Sequence, residues 1–298
     1  MALKDYYSAM NKTDSFVIKP LDIYLMSLNK EDNDRAIDVN APSQIGTCMR
    51  ARYYARTKTE KDGCAVSARA RRIFDNGSGM HERIQHYLTE QGMLVLDEIP
   101  VVNDKYNIQG HTDGLLDCVD AHRVLELKSM NDREFNNLKK PKDEHVMQGL
   151  VYVFCIETRR KYLHQRYKTY EQFLICKAAR MKSYAKYYQH LKGGRKHTRE
   201  EKIRFQCELH NKMDRILMKV SKPITDVVFL YENKNNQDLK EFLVSTKEAQ
   251  SKVILKNILD DCVYLNECVR RKKVPQREFE SRSSQGCKYC NYKTECWL

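Results

Sequence analysis

The chain has 298 residues, enough to bury a sizeable core as one large domain or two smaller ones. A formal net charge of +13 and a pI of about 9.1 point to a polyanionic partner, nucleic acid before membrane, and no run of eighteen apolar residues is present to build a transmembrane helix. The opening MALKDYYSAMNKTDSF lacks the apolar stretch of a secretory signal, so the eleven cysteines read as reduced thiols with a metal-binding subset, and a cytoplasmic setting is expected.

Residues 1–40 are polar and mixed, with an apolar patch at Ile23 to Leu28, and read as a partly helical N-terminal extension without chemistry of its own. Ala41-Pro42-Ser43 has the form of a helix start with Ser43 as N-cap, leading into QIGTCMRARYYART. Cys48 in that stretch is, taken alone, a small core residue. From Ser67 to Glu90 a basic run leads into Asn76-Gly77-Ser78-Gly79. A helix is expected after it, with His81 and Glu82 in the first turn and Ile84, Tyr87 and Leu88 on one side. The two glycines would let the backbone approach something closely. By itself His81 is a helix-start histidine bonded to a neighbouring carbonyl.

Met93 to Val102 reads as one strand, which Pro100 restricts to an edge or a bulge. Ile108 to Met130 reads as a β-hairpin: a strand carrying Asp113, a turn around Asp120 to His122, and a strand carrying Glu126 and Lys128. Residues two apart in a strand share a face, so Glu126 and Lys128 project together while Leu125 and Leu127 go to the other side. Two charges on one face of a core-like strand are costly unless they are paired or bind a metal. Asp113 could bring a second carboxylate to that face. Two carboxylates and an ammonium around a divalent cation can cut a phosphodiester; a surface hairpin with a Glu–Lys pair is the plainer alternative.

Pro141 precedes a helix containing HVMQGLVYVFC, in which Gln148 and Tyr152 are four apart and share a face. Met147, Leu150, Val151 and Phe154 are expected to bury the other side. Residues 158–222 hold 19 lysines and arginines against 5 acids, together with six tyrosines. The expectation is a basic helical hairpin, broken at Gly193-Gly194 and restarted by a Thr198/Glu201 capping box, with Leu209, Met213, Ile216 and Val220 as its apolar seam. Aromatics interleaved with cations suit a phosphate backbone. Ile224 to Tyr231 is the clearest buried strand, and a long helix is expected from about Lys247 to Lys272.

The chain ends in GCKYCNYKTECWL, with Cys287, Cys290 and Cys296 in a CxxCx5C arrangement. Three cysteines are poor core material in so polar a tail, and a metal site is the better reading. Three thiolates want a fourth ligand, for which Cys48, Cys262, Cys268 and His86 are candidates. Zinc and an iron–sulfur cluster both suit thiolates, and the lack of a second CxxC favours the cluster.

Taken in order, CxR, GxxxH on a helix, GxxD, ExK, QxxxY on a helix and CxxCx5C resemble the RecB-like branch of the PD-(D/E)xK nucleases, and within it the members carrying a four-cysteine cluster. The likeness covers about residues 41–156 and 224–298. It implies an α/β restriction-endonuclease-like core with a central mixed sheet flanked by helices, built from residues 41–157 and 223–298, with 158–222 as a basic insertion. It further implies that His81, Asp113, Glu126 and the Leu127 carbonyl hold Mg²⁺ or Mn²⁺, that Lys128 orients the attacking water, and that Gln148 and Tyr152 support the site and the strand. Cys48, Cys287, Cys290 and Cys296 would hold a [4Fe–4S] cluster joining the two ends of the domain. The proline that names the motif is absent, since Gly110-His111-Thr112 precedes Asp113. The expected activity is a metal-dependent deoxyribonuclease acting on single strands or DNA ends, working with DNA and a helicase or recombination protein and without a membrane. The rivals are a nucleic-acid-binding protein with a vestigial site and a structural zinc module of a larger assembly.

Overall fold

The computed structural model describes residues 17–28, 38–57, 59, 66–177 and 197–298, with the side chains of 197–206 left aside. In chain order the helices are α1 (Ile18–Ser27), α2 (Met49–Arg56), α3 (Ala68–Glu90), α4 (Asp132–Asn137), α5 (Asp143–Arg166), α6 (His197–Leu217), α7 (Ala249–Arg271) and α8 (Lys293–Trp297). The strands are β1 (Leu94–Asp97), β2 (Pro100–Asn103), β3 (Ile108–His111), β4 (Gly114–Asp117), β5 (His122–Met130), β6 (Ile224–Asn233) and β7 (Leu239–Ser245). Five strands form a mixed sheet in the order β1-β4-β5-β6-β7, in which only β5 and β6 run parallel. Helices cover both faces. The protein is therefore an α/β fold around a central mixed sheet.

The pairing explains the strand sequences. Central β5 and β6 are covered on both faces, so Val124, Leu125, Leu127 and Met130 of β5 and Ile224, Val227, Val228, Phe229 and Tyr231 of β6 are all buried, whichever face they point to. Val124 and Met130 face α5, while Leu125 and Leu127 join Met80 and Ile84 of α3 in a second, smaller core. β7 is an edge strand with Leu239 and Leu243 exposed, and its alternation with Lys240 and Glu241 hides it from a sequence reading. Gly149 of α5 lets the helix sit directly on β6. A Cβ there would lie 2.8 Å from the Phe229 ring and 2.9 Å from a Val227 methyl.

Several local expectations need correction. Met93 to Val102 is two strands, because Glu98 takes φ +40° and turns the chain into a separate two-stranded sheet, β2-β3. Pro100 opens β2, where its missing N–H costs nothing. Asp113 is not within a strand: the chain leaves β3 at His111 and enters the main sheet at Gly114, so Asp113 occupies the switch between sheets. The β4–β5 hairpin follows it, with its turn at residues 118–121. Ser43 is not an N-cap; it lies in a short 3₁₀ turn, Pro42–Gln44, and α2 instead begins after Cys48. The helix holding His81 starts at Ala68, before the Asn76 to Gly79 stretch after which it is expected, and the Ser67 side chain accepts there from the Ala70 amide at 3.2 Å. His81 is therefore mid-helix, and Tyr87 is exposed rather than packed.

The described ends of the basic segment belong to the main core. Helix α5 runs unbroken past residue 157 to Arg166, and Leu163, Phe173, Leu209, Met213 and Leu217 share one core with β5 and β6. Asp214 of α6 accepts from Arg159 at 2.7 and 2.9 Å and from Lys177 at 2.8 Å. Burial disfavours its charge, but the Arg159 fork and Lys177 outweigh it and hold the carboxyl below its ordinary value. Lys177 is itself pushed down by burial, so the planar guanidinium is the stronger partner. Arg160 is committed to Glu157 and Lys222 to Asp117. Gly193-Gly194 lies outside the described residues, and of the Thr198/Glu201 box only the backbone is described, within α6.

Gly149→Ala sets two terms against each other. Helix propensity favours alanine by about 1 kcal/mol, whereas overpacking a filled core costs about 1–3 kcal/mol. Both obstructing side chains are fully buried, so we expect a net loss of about 1 kcal/mol, read as a lower denaturation midpoint. A raised midpoint would mean that the α5–β6 contact is looser than described.

Candidate active site

The sheet register brings the charged residues together. Gly114 pairs with Leu125, so extending that register by one residue sets Asp113 opposite Glu126. Lys128 follows on the same face, and its Nζ donates to Glu126 Oε2 at 2.8 Å. Asp113 Oδ2 accepts from the Leu127 amide at 2.7 Å, which draws the switch segment against β5. His81 Nδ1 stands 3.4 Å from Asp113 Oδ1, and Gln85, one turn along α3, donates to the Asp113 carbonyl at 2.7 Å. Helix α3 thus holds Asp113 by both its carboxylate and its backbone. Gln85 escaped the sequence reading although it is four residues from His81.

Burial sets the electrostatics. Glu126 has no exposed surface, and its Oε1 has no hydrogen-bond partner. Burial first, and then the Asp113 carboxylate, push its carboxyl up to about 8 despite Lys128. Burial also works against the Lys128 charge, but Glu126 and Asp113 outweigh it and hold the ammonium above its ordinary value. His81 follows the same pattern: burial lowers it, and the bond to Asp113 more than compensates. On α5, Gln148 Nε2 donates to the Tyr152 hydroxyl at 3.2 Å, with both side chains buried. Burial, with Glu126 and Asp113 nearby, holds the Tyr152 phenol far above its ordinary value.

An orphaned buried carboxylate oxygen beside a second carboxylate is costly as it stands. It is the donor set a hard divalent cation takes, and the residues present fit one. Among the described residues no three His, Cys, Asp or Glu side chains already stand as a single-ion ligand set. Glu126 Oε1 and the remaining lone pairs of Asp113 are the oxygens left for a cation, with His81 at their side. Leu127 contributes its amide to Asp113, and its side chain lies in the smaller core.

The cysteines gather elsewhere. Cys48, Cys287, Cys290 and Cys296 line one small cavity with Arg50, Tyr54 and Trp297. Arg50 Nη1 donates to Cys296 Sγ at 3.4 Å and to its carbonyl at 3.1 Å, and the Tyr292 amide donates to Cys290 Sγ at 3.5 Å. Donors aimed at sulfur are the outer-shell bonds that steady thiolate ligands. The other fourth-ligand candidates lie apart. Cys262 is in the main core, Cys268 packs with Tyr53 and Leu265, and exposed His86 sits by Tyr87 on α3.

No protein-family model matches the sequence, and no curated protein matches it. Solved structures similar in chain path include the following two. The crystal structure of SSO0001 gives a TM-score of 0.45 at 12% identity, over 96% of each chain. That of an alkaline exonuclease, LHK-Exo, from Laribacter hongkongensis gives 0.36 at 10% identity, over 84% of this chain and 97% of that one. Both likenesses are faint, and the functional reading rests on the residues described above. Among the described residues no helix is long and apolar enough to cross a membrane.

A carboxyl whose folded pKa is raised, here from 4.5 to about 8, contributes stability that is full below the unfolded value and is lost as pH rises through the folded one. The melting temperature in EDTA should therefore fall as pH rises from about 5 to about 8.5. Glu126→Gln should flatten that profile, and Mn²⁺ should raise the wild-type midpoint at the alkaline end but not the variant's. A variant profile as steep as the wild type's would assign the slope to other groups.

Proposed function

We propose that this chain is a divalent-metal-dependent deoxyribonuclease that hydrolyses phosphodiester bonds on single strands or DNA ends. The observation that carries the reading is the unpartnered, fully buried Glu126 Oε1 beside Asp113, with Lys128 paired on the same strand face. A structural salt bridge does not explain it, because Lys128 satisfies one oxygen only and a second carboxylate is brought up against the pair. Mg²⁺ or Mn²⁺ bound there would supply phosphate charge neutralisation and a more acidic water.

The chain's own groups would do the rest. Asp113 and Glu126 hold the cation, with His81 beside Asp113 and the Leu127 carbonyl as a further ligand. Lys128 keeps its proton beside Glu126, so it can orient water by donating and can stabilise charge developing on the phosphate. Tyr152 keeps its proton as well, and with Gln148 it forms a neutral polar pair next to the carboxylates. Neutral donors there can hold a strand without competing for the cation.

We also assign a [4Fe–4S] cluster to Cys48, Cys287, Cys290 and Cys296, with zinc as the lesser alternative. The shared cavity and the donors aimed at sulfur support it. Its role would be structural, closing α2 onto the end of the chain. The basic segment is assigned to the DNA backbone through its central part. At its described ends Arg159, Arg160, Lys177 and Lys222 are already spent on Asp214, Glu157 and Asp117. A helicase or recombination protein is the kind of partner this activity would serve.

Cleavage of end-labelled single- and double-stranded DNA with Mn²⁺, Mg²⁺ or EDTA tests the activity. Metal-dependent cutting should fall at least about 100-fold in Lys128→Ala, as removal of an electrostatic stabiliser does. A well-folded, metal-loaded wild type that binds DNA but never cuts it would favour the vestigial-site reading. Protein purified without oxygen should be brown and contain iron. Cys48→Ser should lose the colour and melt earlier, whereas zinc in colourless protein would overturn the cluster.

A further inference from the structure

Helix α5 carries a third polar group on the stripe that holds Gln148 and Tyr152. His145 lies three residues before Gln148 and seven before Tyr152, so all three share one helix face. Its ring stacks at a tilt on Tyr231, with centroids 5.6 Å apart. Tyr231 is the β6 residue paired with Lys128, and paired residues on adjacent strands, about 4.8 Å apart, point to the same face. His145 is thereby placed beside the candidate active site by a residue more than a hundred positions away from Lys128.

The hydrogen bonds around Tyr231 fix the tautomer of His145. The Tyr231 hydroxyl has no exposure, and its partners are the Lys142 amide at 3.2 Å and His145 Nδ1 at 2.8 Å. The amide can only donate. The single hydroxyl proton therefore goes to Nδ1, the one acceptor described, and the imidazole proton is left on Nε2. The two ring nitrogens point in nearly opposite directions. With Nδ1 turned in toward the buried phenol, Nε2–H turns outward, and among the described residues no group accepts from it. Burial and the neighbouring Lys128 and Lys142 charges keep the ring neutral, with its pKa pushed down to about 4.

We propose that His145 is a phosphate-binding residue of this site, whose outward Nε2–H donates to a non-bridging oxygen of the DNA strand flanking the bond attacked. The inference rests on the nuclease reading and adds to it. A donor held by one fixed partner needs little reorganisation when the strand arrives. A neutral one adds a contact without adding to the salt-dependent charge term.

Single-strand binding in EDTA by fluorescence anisotropy, and steady-state cleavage in Mn²⁺, test this with His145→Ala and His145→Gln beside the wild type. His145→Ala should raise both the Kd and the KM about tenfold while kcat falls much less, the pattern of a contact made equally in ground and transition states. His145→Gln, which keeps an N–H at similar reach, should recover most of the loss. The slope of log Kd against log salt should not change, whereas loss of a cation contacting phosphate would reduce it by about one. A folded His145→Ala with wild-type Kd and KM overturns the proposal and leaves the nuclease reading intact. If the wild type binds without cutting, a wild-type Kd for His145→Ala still overturns it. A wild type that neither binds nor cuts DNA removes both.

Discussion

Glu126 sits at the centre of the sheet with no exposed surface, one carboxylate oxygen held by Lys128 and the other held by nothing. A protein interior tolerates such a group only at a cost, and the cost is increased here because Asp113 is drawn to the same face. Every element around it serves to keep that arrangement. The β4–β5 register sets the two carboxylates opposite each other, the Leu127 amide fixes one oxygen of Asp113, and α3 holds Asp113 through His81 and Gln85. Three separate elements, β4, β5 and α3, are thus committed to keeping two acids together against their mutual repulsion.

The parallel pairing of β5 with β6 is the second constraint. It joins strands about a hundred residues apart, and the intervening chain must return across the sheet. Helix α5 is the central part of that return. Gly149 sets its distance from β6, and that distance lets Gln148, Tyr152 and His145 reach the face carrying Glu126 and Lys128. The second layer of the site is therefore a product of helix-on-sheet packing, with no dedicated loop. Rigid elements place side chains more closely than loops do.

Legibility in the sequence followed the range of the interactions. The spacing of Glu126 and Lys128 and that of Gln148 and Tyr152 are local periodicities, and those residues lie together as their spacing requires. Asp113 kept its place opposite Glu126 although its strand did not, because the register carries through the switch residue. The break placed at Asn76 to Gly79 failed for an energetic reason. Two glycines cost a helix roughly 2 kcal/mol, but buried Met80 and Ile84 return about 1.5–3 kcal/mol each, and Ser67 caps the helix a full three turns earlier. Gln85 and His145 owe their meaning to Asp113 and Tyr231, distant partners that no local pattern displays.

Helix α2 meets α7 and the C-terminal tail through contacts that need no metal. Arg56 donates to Asn40 at 3.1 Å and to Asn266 at 2.7 Å, and Tyr53 and Tyr54 pack against Leu265 and Tyr292. These already fasten α2 to α7. A metal group in the cysteine cavity would close a loop of more than two hundred residues that is half closed beforehand, so its gain is smaller than free-chain loop entropy suggests. What it would add is order in the tail itself. Residues 272–298 hold little regular structure beyond a 3₁₀ turn and the five-residue α8, and their buried apolar groups are few: Pro275, Cys287 and Tyr292, with Cys290 and Cys296 half-buried against the cluster of Tyr53 and Leu265. In a segment so poor in core, contacts that hold it to α2 run through Arg50, which donates to the Pro275 and Cys296 carbonyls, and its three cysteines stand together at the cavity that Cys48 also lines.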